Sequence, residues 1–421
     1  MWKLLTAVWS FILIAMREND LTVDCVIIGA GGVGACIAQQ LAFQGQSVVV
    51  VDAADGIGGG CSYANAGILA PSHVGPLATP ALLKEAPAQM LRQPPAVRVD
   101  PDPRLAPWLS ALTASAVPGR AQRGTDRLRQ LAHLSTALHL ELAEAGLSST
   151  LHKTGAVDVY LQQPRPTPPG FMTADELRSL EPSVARASGG THEDAEWVMD
   201  SRSFVTSMLE DARRHGAEVR FGAWVTEIVV EAGRAQAVQT TKGTLSTQHV
   251  VLAAGLGSRE LAARAGVHLP LRGGRGYVVD VAKPADAPQM PVRVKDHRIV
   301  VTPMAEWVRV AGSIEFGREG RPVDASRGKA LLEVAATVLP CLQGATILDL
   351  WGGDRPCTPD GLPIIGAPES LPNLHVAAGH GMWGMILAPI SAALTRDRIL
   401  DGQPDPVSSW LRPDRFPRWV R

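Results

Sequence analysis

Two spacings of apolar residues alternate along the chain. Residues 23–28 (VDCVII), 47–51 (SVVVV) and 249–253 (HVVLA) are short runs with few polar interruptions. Such runs are expected of parallel strands covered on both faces. Between the first two, Val33, Ile37 and Leu41 recur at helical spacing, and Gly45 follows where a helix C-cap is expected. Helical spacing returns at 128–145 (Leu131, Leu134, Leu138, Leu142), 203–215, 327–339 and 385–400. A short helix is predicted over 173–180, where Thr173 and Glu176 form a capping box. Further strands are predicted at 157–161, 217–221, 225–230, 235–240 and 374–377. Residues 276–281, 298–302 and 308–311 alternate instead, with Met304-Ala305-Glu306 as a hairpin between the last two. Antiparallel strands of that kind leave one sheet face free for a ligand. The pattern predicts an α/β chain with an inserted α+β region.

Composition narrows the class. The 421 residues carry 40 Lys+Arg against 41 Asp+Glu, a net charge of −1, so no basic excess marks a nucleic-acid binder. With 46% hydrophobic and 19% charged residues the chain reads as globular rather than disordered. Five cysteines (Cys25, Cys36, Cys61, Cys341, Cys357) form no CxxC pair, which argues against a structural metal and for a reducing, cytoplasmic setting. Residues 1–19 stand apart. The uncharged run 4–16 is shorter than the roughly 20 residues of a spanning helix. It reads as an over-long start with Met16 as the true first residue, or as an interfacial helix holding the protein peripherally on the cytoplasmic side of the inner membrane. A secretory signal fits least, since no small-x-small site precedes Arg17.

The chemistry starts at Gly29-Ala30-Gly31-Gly32-Val33-Gly34, between a predicted strand and a predicted helix. In G-x-G-x-x-G, Gly29 permits the tight turn, Gly31 lets a pyrophosphate approach the backbone, and Gly34 allows close helix–strand packing. The helix start offers free N–H groups and partial positive charge. Asp52, 18 residues after Gly34, closes the second strand and suits a ribose hydroxyl, which points to FAD or NAD. A long glycine-rich loop follows, Gly56 to Gly60, leading into Cys61-Ser62-Tyr63-Ala64-Asn65-Ala66-Gly67. It suits a larger ring system passing the backbone, or is simply a flexible loop.

VIIGAGGVGACIAQQLAFQGQSVVVVDA followed by SYANAGILAP resembles the FAD-dependent D-amino-acid dehydrogenases, within the D-amino-acid oxidase and glycine oxidase superfamily. The resemblance extends through residues 23–402. It implies a Rossmann-like FAD-binding domain with an inserted α+β substrate domain carrying an antiparallel sheet. The expected FAD domain is discontinuous (20–75, 195–268 and 345–405). The substrate domain fills 76–194 and 269–344, and 406–421 is a tail.

By the same resemblance, Ser62, Asn65, Ala66 and Gly67 flank the flavin, as do Gly255 in the Ala254-Gly255-Leu256 turn and Gly381, Met382 and Gly384 in Gly379-His380-Gly381-Met382-Trp383-Gly384. WGGDRPCTPDGLPIIG (351–366) resembles the family's W-x-G-x-R-P-x-[TS]-x-D-x-x-P-x-I-G signature, which makes Arg355 the grip on the substrate carboxylate. A guanidinium fork binds a carboxylate bidentately, as lysine does not. The alternative for Arg355 is an ion pair with Asp354 or Asp360. Tyr277 and Trp383 are the expected pocket aromatics; Tyr277 also fits a core position. Glu315, in Gly312-Ser313-Ile314-Glu315-Phe316, reads better as part of a structural network than as catalytic. His380 fits a packed turn histidine at least as well as a catalytic one. Cys357 is out of register with the cysteine that attaches flavin in sarcosine-oxidase relatives, so FAD is expected to be non-covalent.

The implied reaction is oxidation of a D-amino or cyclic D-imino acid (D-alanine-like, D-proline or cis-4-hydroxy-D-proline) to the imine by hydride transfer to flavin. No catalytic residue beyond the flavin is required. The implied acceptor is a quinone. The alternatives are a glycine/sarcosine-type amine oxidase making hydrogen peroxide, and a non-catalytic FAD-binding subunit of a larger complex.

Overall fold

The computed structural model describes residues 22–63, 65–91, 95–402, 406–417 and 419–420. The apolar N-terminal segment therefore lies outside the described residues. Two large sheets organise the rest. In the first, Glu218–Arg220, Val48–Val51, Val23–Ile28, Gly243–Leu252 and Leu374–Ala378 run parallel in that spatial order. Their alternate residues enter different cores. Cys25, Ile27, Val48 and Val50 face the helices Gly32–Phe43, Ser201–Arg214 and Gly384–Leu400. Val26, Ile28, Val49 and Val51 enter a second core with Val250, Leu252 and Val376. Burial on both faces is what the uninterrupted apolar runs require. Gly243–Leu252 has a double role, since its first half continues into an antiparallel sheet with Arg234–Thr240 and Val225–Glu231. No described helix is long and apolar enough to cross a membrane.

The second sheet is largely antiparallel, in the order Ile347–Cys357, Arg272–Ala282, Trp307–Phe316, Ile299–Pro303, Val292–Val294, Ala156–Tyr160, Gly189–Glu193, Met172–Thr173. Tyr277, Val279 and Val281 point into a core with Leu331, Ala335 and Val338 of helix Ala325–Val338. The other sheet face carries Gly276, Val278 and Ala311.

Two elements go beyond the sequence reading. The strand Ile347–Cys357, placed with the FAD domain by the 345 boundary, pairs with Arg272–Ala282 from Val281↔Ile347 to Arg272↔Cys357. That strand is therefore an edge of the second sheet. The helix expected from 128 begins at Pro118 and runs to Glu144, because its first turns bury only Ala121 and Gly124 and give no large apolar period. The capping box at Thr173 and Glu176 is present, as is the left-handed Gly45 (φ 78°) after the first helix.

Three buried histidines are held as neutral rings. Burial pushes the pKa of His139 down to about 4, of His375 to about 3 and of His380 to about 4. His139 Nε2 lies 3.1 Å from the Met385 carbonyl, and His380 Nε2 lies 2.9 Å from Ser391 Oγ. The unfolded chain binds these protons at the ordinary value and the fold does not. Stability is therefore full above about pH 6.5 and falls toward pH 4, by about 1.4 kcal/mol per pH unit for each ring. A melting temperature that drops steadily below about pH 6.5 is the expected result. A profile flat down to about pH 5 would show that the folded rings take up protons without cost.

Candidate active site

The Gly29–Gly34 turn has the tight geometry of a dinucleotide cradle. Gly29 sits at φ 109°, and a Cβ there would lie 2.5 Å from the Ala253 carbonyl oxygen. A Cβ at Gly34 would lie 1.9 Å from the Gly29 oxygen, so the helix packs directly on the turn. At Gly31 the neighbourhood differs, since the only atom near a Cβ is Ser62 Oγ, at 3.2 Å. A missing side chain at Gly31 leaves space beside the helix start rather than protein contact. Ser62 Oγ accepts from the Gly32 N–H (2.9 Å) and fixes the glycine-rich loop at that start. Asp52 accepts from the N–H groups of Ala30 (2.7 Å) and Ala54 (2.8 Å), which ties the acid to the turn.

A cavity of about 1010 Å³ runs from this turn to the second sheet. Gly29, Gly31, Asp52, Ser62, Asn65, Ala66, Gly255, Arg355, Gly381, Met382, Trp383 and Gly384 all line it. Gly34 and Gly67 stand behind the wall. Gly67 (φ 73°) shapes the loop, and its N–H donates to Asn65 Oδ1 at 2.8 Å. The loop is bolted to the second sheet, where Thr302 Oγ1 donates to the Ala66 carbonyl (2.6 Å). Trp383 Nε1 donates to the Gly75 carbonyl (2.8 Å), so its ring is an anchor as well as a wall.

Tyr277 is not part of the lining. Strand alternation turns Gly276 and Val278 to the cavity and Tyr277 into the core, where it is fully buried. Its hydroxyl lies 3.4 Å from Glu315 Oε2. Glu315 is itself buried and held by Arg327 (2.6 Å) and Arg318 (3.5 Å), a structural network.

Arg355 lines the cavity from the second sheet. Its guanidinium lies flat over Gly276, where a Cβ would be 2.1 Å from Nη2. Its Nη1 donates to the Ser313 carbonyl at 3.0 Å. The acids beside it in sequence are engaged elsewhere: Asp354 with Arg275 (2.9 and 2.7 Å), Asp360 with Arg415 (2.8 and 3.1 Å). Among the described residues no carboxylate pairs with Arg355. Burial presses its pKa below the ordinary arginine value, yet arginine stays charged. Several donors of a desolvated cation thus remain for a ligand.

Sequence reasoning did not identify a buried ionic cluster on the same cavity. His73 lies 2.7 Å from Glu196 and 3.3 Å from Asp158, and Arg293 bonds both carboxylates. Lys295 adds a contact to Asp158 at 3.1 Å. Burial opposes the charge on His73, but the two carboxylates prevail and hold its pKa above the ordinary value. The partners come from four distant segments, so no local signal announces them. Among the described residues no group of three or more His, Cys, Asp or Glu side chains could hold a metal ion.

Residues around the turn fit FAD: Gly31 and the first helix would receive the pyrophosphate, Asp52 the ribose, and the loop 61–67 and the turn 381–384 the ring end. A dinucleotide cradle joined by one cavity to an open cation defines a flavin-dependent oxidoreductase. Residues 24–398 match the family described as FAD dependent oxidoreductase, and the chain belongs to it. It is 29% identical to a D-amino acid dehydrogenase of Paramagnetospirillum magneticum, over 94% of this chain and 99% of that one. It is also 29% identical to a D-amino-acid oxidase of Bradyrhizobium diazoefficiens, over 93% and 98%. Glycine oxidase from Geobacillus kaustophilus shares the fold, with a TM-score of 0.74 and 23% identity over 94% and 99% of the two chains.

Proposed function

We propose that this chain oxidises the C–N bond of a small D-amino or cyclic D-imino acid, such as D-alanine, D-proline or cis-4-hydroxy-D-proline. The observation that carries this reading is Arg355, a cavity-lining guanidinium without a carboxylate partner. It binds the substrate carboxylate and fixes the orientation of the adjoining carbon. Leu77, Ala96, Val300 and Ile314 line the same cavity and suit a compact apolar side chain. Bound FAD supplies the two-electron acceptor. No acid–base residue is assigned, and the imine product hydrolyses in water after release.

The dehydrogenase-named relatives support a quinone-type electron acceptor, and the N-terminal apolar run supports contact with a membrane surface. The Bradyrhizobium relative, at equal identity, supports a second reading in which oxygen is the acceptor and peroxide forms. The deciding experiment is anaerobic. Purified yellow protein is mixed with a panel of D- and L-amino acids, and the visible flavin band is followed. Bleaching by D-alanine, D-proline or cis-4-hydroxy-D-proline, with L-forms inert, is the expected result. Bleaching confined to glycine or sarcosine would replace the reading, and none at all would leave a flavin-binding subunit. Stoichiometric peroxide in air would decide for the oxidase.

A further inference from the structure

The strand Trp307–Phe316 carries an irregularity where Arg355 needs support. Its pairing with Arg272–Ala282 is regular up to Tyr277↔Gly312 and resumes at Arg275↔Glu315. Three steps on one strand thus match two on the other, and Ser313 and Ile314 together oppose Gly276. This is a β-bulge, a device that re-aims backbone groups beside functional sites. Ser313 occupies the left-handed region at φ 54°, a conformation bulges of this kind usually give to glycine. Its carbonyl meets Arg355 Nη1 at 3.0 Å, the one hydrogen bond from the guanidinium to a described residue. Its hydroxyl is buried without a partner. Gly276, directly opposite, supplies the bare surface on which the guanidinium lies.

We propose that the bulge at Ser313 is the positioning device for Arg355: the left-handed backbone turns the Ser313 carbonyl onto Nη1 and so aims the remaining donors at the substrate carboxylate. Ser313 acts through its backbone, not through its hydroxyl. This rests on the reading of Arg355 as the carboxylate grip. Gly276 and Ser313 form the two sides of one clamp, one by lacking a side chain and one by presenting a carbonyl.

Reciprocal variants of the flavin-loaded full chain test it. Ser313→Thr keeps the hydroxyl but adds a β-branch that disfavours the left-handed region. Ser313→Gly removes the hydroxyl and favours that region. The readouts are the dissociation constant of propionate, a carboxylate with no amine, from perturbation of the flavin spectrum, and KM and kcat for the substrate found above. Ser313→Thr is expected to raise the propionate constant and KM by about tenfold, with flavin content unchanged and kcat within about threefold. Ser313→Gly is expected to stay within about twofold on both. Loss in the glycine variant with retention in the threonine variant would transfer the role to the hydroxyl and overturn the proposal. No change in either would also overturn it. Arg355→Lys is the separate control: unchanged propionate binding there would refute the carboxylate reading itself, whatever the Ser313 variants do.

Discussion

Replacing Arg355 with leucine is expected to leave a yellow, folded protein that has lost most of its turnover. The side chain comes from the second sheet and makes no hydrogen bond to the Gly29–Gly34 cradle of the first, so cofactor retention is not expected to depend on it. It forms no ion pair within the described residues, so its removal strands no buried carboxylate. Folding stability should therefore change little, and the substitution even removes a desolvated charge. What disappears is a charge-assisted, bidentate contact with substrate, worth about 3 kcal/mol or more. That corresponds to a fall of about 100-fold or more in kcat/KM. Steady-state kinetics on protein with matched flavin content provide the check. Near-normal turnover and KM would refute the assignment.

Gly31→Val is expected to yield apoprotein. A Cβ at this position meets only Ser62 Oγ, at 3.2 Å, so the chain can still fold around it. The branched side chain then occupies the space beside the helix start, where the pyrophosphate oxygens belong. Gly34→Ala is the informative contrast. Its Cβ would lie 1.9 Å from the Gly29 carbonyl oxygen, a backbone collision no rotamer can relieve. That variant should lose about 3 kcal/mol or more of stability and fail as a fold, not only as a binder. The ratio of flavin to protein absorbance in soluble material separates the two. A normal ratio for Gly31→Val would refute the pyrophosphate role.

What the sequence disclosed follows from how local each signal is. The cradle was legible because turn, helix and acid fall within one short strand–helix–strand unit. Arg355 was legible through its surrounding motif, but its freedom from Asp354 and Asp360 was not. Those acids are taken by Arg275 and Arg415, which lie 79 and 55 residues away. Tyr277 stayed open between pocket and core because aromatic character says nothing about which strand face a residue occupies. Gly276, one residue earlier, is the cavity-facing position, and a glycine between Arg275 and Tyr277 carries no pattern. The sheet to which the strand after residue 345 belongs was hidden for a related reason. The strand Ile347–Cys357 is rich in Gly and Asp, and its pairing partner begins at Arg272, far back in the chain.

The cavity draws its walls from both sheets, with the cradle on one and Arg355, Gly276 and Ser313 on the other. A molecule that fills it binds the folded chain and has no counterpart site in the unfolded one. Flavin supply is then a thermodynamic variable of the fold, acting by mass action. Each tenfold rise of free cofactor above its dissociation constant adds about 1.4 kcal/mol to folding stability. In a cell short of flavin, the same chain would spend more time open to proteases. Its abundance would track the cofactor pool as well as its own synthesis.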